Sequence, residues 1–133
     1  MNENEKRATL AKVMGWTHGM VECTIREFEL KQNLTTPGWT TPDGQIYPDY
    51  RYDSEFSVLP NPFTDANDCD ALKMWLRDRG WHIEIRWQAH TNLCPAPAVY
   101  VEIWHEASEI HHRYDSDRGE PFTVSMAAIK VIE

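Results

Sequence analysis

Long apolar runs are missing from this sequence: nothing in its 133 residues approaches the roughly 20 consecutive apolar residues of a membrane-spanning helix. Cysteine is scarce. Cys23, Cys69 and Cys94 are odd in number and far apart, which argues against a disulfide framework or a zinc knuckle and fits reduced thiols in a cytosol. Positive charge is in deficit, with 13 Lys and Arg against 21 Asp and Glu and a net charge of −8. Sequence-independent affinity for nucleic acid is therefore not expected, whereas high solubility or a basic partner surface is. The sequence holds no glycine-rich phosphate loop, G-x-S-x-G elbow or H-E-x-x-H, so neither catalysis nor a cofactor is expected. Residues Met1 to Arg7 are hydrophilic with no apolar segment behind them, and the expected location is cytoplasmic.

Aromatic side chains are well supplied, at 11% of residues with six Trp, and they argue against disorder despite a mean hydropathy of −0.60. A chain of 133 residues fits a single domain spanning residues 1–133, able to bury roughly 65–70% of its unfolded surface. The clearest local signal runs from Asn61 to Trp87. Ala66, Cys69, Leu72, Trp75 and Leu76 fall on one helical face, with Thr64 placed to cap, Asp65 and Asp68 in the first turn, and Gly80 as the stop. Beyond Gly80 the period changes to two. Trp81, Ile83, Ile85 and Trp87 share one strand face and His82, Glu84 and Arg86 the other, so helix and strand should pack together.

Elsewhere, residues 3–14 form an expected short helix ending at Gly15, whereas residues 20–30 fit strand or helix equally. Residues 33–60 are rich in turn formers (Pro37-Gly38, Pro42-Asp43-Gly44, Pro48-Asp49) and predict a long loop pinned by Trp39 and Tyr47. After the interruption at Pro95-Ala96-Pro97, residues 99–104 alternate as a strand, with a third strand near Ile110 to Tyr114 and a terminal helix over residues 123–132. The order implies an α+β fold, an antiparallel sheet covered by helices.

Several short motifs together carry a likeness: Met14-Gly15-Trp16, Trp39 with Pro42-Asp43-Gly44, Asn61-Pro62 with Thr64-Asp65 before a Trp-bearing helix, and Ala127-Ala128-Ile129. In these the chain resembles the phage ABA sandwich domain family of small phage and prophage proteins. The resemblance implies a three-layer α-β-α sandwich and a phage-type accessory protein in a bacterial host, without implying a reaction. Residues 17–37 are longer than the connection usual in that family.

Three chemistries are worth weighing. His105, His111 and His112, with Asp115, Asp117 and Glu120 behind them, have metal-ligand types but no ligand spacing, so a metal-dependent enzyme is a minor alternative. Cys69 sits among apolar neighbours and reads as an inert thiol. Stacked aromatics beside Arg86 offer a second alternative, a sponge for a small nucleotide. The leading expectation is a non-catalytic binder of a host or phage component, with counter-defence as one such role. Its expected contact residues are Trp39, Tyr47, Tyr50 and Tyr52 as anchors, with Asp43, Asp49, Asp53 and Glu55 facing a basic protein surface. A homo-oligomer is left open.

Overall fold

The computed structural model describes residues 1–27, 30–88 and 99–132. The protein is α+β, with three helices and two three-stranded antiparallel sheets among the described residues. Where one sheet is expected from the sequence there are two, each made of strands that pair with near neighbours in the chain. They lie in two compact units, Met1–Pro60 and Asn61–Glu133. The expected interruption at Pro95-Ala96-Pro97 and the thiol of Cys94 lie outside the described residues.

In the first unit, helix α1 (Glu3–Val13) starts where the Asn2 side chain accepts the Glu5 N–H at 2.8 Å, and it ends just before Gly15. Strands β1 (Thr17–Glu27) and β2 (Leu30–Thr40) pair antiparallel from Thr17↔Thr40 to Glu27↔Leu30, so the described residues of the ambiguous stretch 20–30 are strand. The long loop expected from residue 33 is corrected to strand as far as Thr40, followed by β3 (Ile46–Pro48) and a 3₁₀ turn at Asp49–Arg51. Strand β3 pairs only with Gly38–Thr40, so Pro37 lies where β2 has a partner on one side alone and a missing N–H is tolerated. Pro42-Asp43-Gly44 does make a turn, closed by Thr41 and Gln45, and the Thr41 hydroxyl donates to Asp43 and holds its carboxyl below the usual range.

The core of this unit is small: Ala8, Ala11, Trp39 and Leu59, flanked by Trp16, Tyr47, Phe56 and Val58. Arg7 ties α1 to the end of the unit by donating to the carbonyls of Phe56, Leu59 and Pro60 at 2.8–3.3 Å. Gly38 is closely enclosed by its neighbours. A Cβ there would lie 2.7 Å from the Tyr47 carbonyl oxygen, 2.8 Å from Val21 Cγ2 and 3.0 Å from Pro48 Cα. Gly38→Ala should therefore destabilise this unit by about 1–3 kcal/mol, as overpacking does. Urea titration followed by tryptophan fluorescence checks this, and an unchanged midpoint would refute the steric account.

In the second unit, helix α2 (Ala66–Asp78) is capped by Asp65, whose side chain accepts the Asp68 N–H at 3.0 Å; the cap is thus one residue later than the expected Thr64. Gly80, at φ +85°, turns the chain into β4 (Trp81–Trp87), a conformation that side chains with a Cβ rarely adopt. Strands β4, β5 (Val99–His105) and β6 (His111–Ser116) pair in that order, and α3 (Glu120–Ile132) follows. Leu72 and Leu76 of α2, Val99, Val101 and Ile103 of β5, and Val124, Ala127 and Ala128 of α3 have no solvent exposure. Helices α2 and α3 touch each other and are joined by the Lys73–Glu120 ion pair at 3.0 Å. Both also pack against the sheet, so this unit supplies a helix layer and a sheet layer.

Candidate functional site

The opposite face of the second sheet carries three cross-strand rows. His82, Trp104 and His111 stack across β4, β5 and β6, with Trp104 5.5 Å from one imidazole and 5.3 Å from the other, within 17° and 7° of parallel. Glu84, Glu102 and Arg113 form the next row, and Arg86, Tyr100 and Asp115 the third. Glu102 accepts from His111 at 2.5 Å and from Arg113 at 3.1 Å, and these hydrogen bonds hold its carboxyl below the usual range. The face is internally paired.

The histidines weighed for metal binding do not converge. His105 accepts the Ala107 N–H on Nδ1 and donates from Nε2 to the Arg79 carbonyl, which occupies both ring nitrogens. His111 is tied to Glu102, and its neighbour His112 projects to the other face of β6, beside Trp81. Asp115 and Asp117 are exposed, and Glu120 is engaged by Lys73. Cys69 is buried and its thiol is pushed up to about 11 by desolvation, which leaves it protonated and unreactive near neutrality.

Ligand-type groups do converge in the first unit. His18 stands near the start of β1, directly opposite Trp39 on β2, with ring centroids 4.7 Å apart. The chain leaves β3 through Pro48, and the 3₁₀ turn places Asp49 Oδ2 2.7 Å from His18 Nε2. Glu55 follows, with Oε2 3.9 Å from the same nitrogen, and its backbone is fixed by the Trp39 indole N–H donating to the Glu55 carbonyl at 2.7 Å. One ligand atom each from His18, Asp49 and Glu55 lies within 4.8 Å of the other two. His18, Trp39 and Glu55 also border a cavity of about 370 Å³, together with Glu5, Thr9 and Lys12. An imidazole and two carboxylates in this arrangement can share a proton or hold a divalent cation.

The eight contact residues expected from the sequence are thus divided. Asp49 and Glu55 come together around His18. Trp39, expected as a loop residue and a contact anchor, is corrected to a core residue on β2, 2% exposed. Tyr47 is half-buried and stacked on Trp16. Tyr50 and Tyr52 are exposed, as are Asp43 and Asp53, while Asp43 bonds only within its own turn. His18 was not legible as a site residue, since only the register of β1 against β2 and the return of the chain at Asp49 reveal its neighbours. Comparison with protein-family models, with curated proteins and with solved structures found no match for this chain.

Proposed function

We propose that this chain is a small, phage-type accessory protein of the bacterial cytoplasm that works without catalysis, docking on a basic surface of a partner protein. The observation that carries the reading is the surface of residues 43–55. Ile46, Tyr50 and Tyr52 are 42%, 50% and 37% exposed there, in a segment holding Asp43, Asp49, Asp53 and Glu55 against the single cation Arg51. Exposed tyrosines supply contact area at small entropic cost and anchor interfaces, while surrounding charges steer the encounter. A nucleotide sponge is less well supported, because both faces of Trp104 are already covered by its own histidines and Trp39 is buried.

The double variant Tyr50→Ala/Tyr52→Ala should release a captured host protein at least tenfold faster than the wild type. Asp43→Asn/Asp53→Asn should slow its association and flatten the salt dependence. Lysate capture at low salt, followed by binding kinetics on the partner recovered, makes the measurement. Equal retention by the wild type and both variants would overturn the reading.

A further inference from the structure

We propose that His18, Asp49 and Glu55 form a binding site for a divalent transition cation of the zinc class. The site is independent of the docking reading, since its groups face one another and the exposed tyrosines take no part in it.

Three observations meet at this point. The first is the donor set, one imidazole nitrogen and two carboxylates brought by three separate elements to within 4.8 Å of one another. The second is Asp49 itself. Its Oδ2 is hydrogen-bonded to His18, but its Oδ1 is buried with no hydrogen-bond partner. An unsatisfied carboxylate oxygen out of water is costly, and a cation held by both Asp49 oxygens would remove that cost. The third is the cavity of about 370 Å³ bordered by His18 and Glu55, which gives entry and room for water in the remaining coordination positions.

The distances can be compared with what a cation would require. Zinc takes nitrogen and carboxylate ligands at about 2.0–2.2 Å, so tetrahedral ligands stand about 3.3 Å apart. The present separations from His18 Nε2, 2.7 Å to Asp49 and 3.9 Å to Glu55, bracket that value. These two separations need adjustments of about half an ångström, and Nε2 must be free of hydrogen to ligate, so any proton held there in excess of the neutral ring leaves as the metal binds. The imidazole favours zinc-class ions over Mg²⁺ and Ca²⁺, which take oxygen ligands. The Trp39 ring against His18 and the Trp39 bond to the Glu55 carbonyl hold two of the three ligands in place.

The test is calorimetric titration of metal-stripped full-length protein with Zn²⁺ alone, in two buffers of different protonation enthalpy, with Mg²⁺ and Ca²⁺ run in parallel. The expected result is one site per chain, proton release, weaker binding of Mg²⁺ and Ca²⁺, and at least a tenfold loss of affinity in each of His18→Gln, Asp49→Asn and Glu55→Gln. Cys23→Ser and His111→Ala should bind as the wild type does. Circular dichroism confirms that each variant is folded, and the three ligand changes are separate so that one misfolded variant does not decide the outcome. Absence of binding, undiminished binding by the folded ligand variants, loss of binding in Cys23→Ser or His111→Ala, or preference for Mg²⁺ or Ca²⁺ would each overturn the proposal. None of these results bears on partner release by the Tyr50 and Tyr52 variant.

Discussion

Leu72→Ala should lower the stability of the Asn61–Glu133 unit by about 2–5 kcal/mol, the range seen when a buried leucine is truncated and its cavity is only partly refilled. Leu72 has no solvent exposure, and it lies on the helix face that also buries Cys69 and Leu76, neither more than 1% exposed. Collapse around the void is restricted on both sides. Helix α2 is fixed at its start by Asp65 and at its end by Gly80, where an added Cβ would lie 2.8 Å from His105 Nε2. A urea melt followed by far-ultraviolet circular dichroism measures the loss, and Leu72→Met, which keeps the volume, should cost less than about 1.5 kcal/mol. A near-zero effect of Leu72→Ala would mean that α2 does not pack as described.

Trp39→Ala should unfold or severely weaken the Met1–Pro60 unit, with an expected loss of about 3–5 kcal/mol. The other buried members of that core cluster are Ala8, Ala11 and Leu59, so the indole is its largest buried side chain. Truncation also removes the donor to the Glu55 carbonyl and the ring that backs His18. Trp39→Phe should cost less than Trp39→Ala, since it keeps an aromatic ring while losing part of the volume and the hydrogen bond, the latter worth about 1 kcal/mol. Thermal melts of the two variants provide the comparison. If Trp39→Ala melts with the wild type, the core assigned to this unit is wrong.

The helices and the strands of the second sheet are legible in the sequence because their signals are local. Gly15 and Gly80 mark helix ends by backbone chemistry confined to a few residues, and β4 and β5 show the two-residue period directly. The first sheet is not legible in this way. Pro37-Gly38 reads as a turn, yet Gly38 is selected by the closeness of Val21, Tyr47 and Pro48, which only the pairing of three strands creates. The same holds for the cluster of His18, Asp49 and Glu55, whose members are separated by 31 residues from His18 to Asp49 before the chain returns. Charge composition pointed to the acids and not to the histidine that joins them.

The β1–β2 hairpin has a further consequence for self-association. It runs for eleven residue pairs, but β3 shields only the three nearest its base, and among the described residues β1 has no partner on its outer side. Two rows of backbone donors and acceptors are thereby offered to any extended chain, the arrangement by which sheets of separate molecules fuse. The surface composition opposes that outcome. Glu22 and Lys31 place exposed charges on the two strands, and Pro37 removes a donor just before β3 begins. Gatekeeping of this kind explains why a hairpin extending well beyond its small core carries Thr24, Gln32, Asn33 and Thr35 on its exposed positions, where valine or isoleucine would strengthen the strands but also their attraction for a second copy.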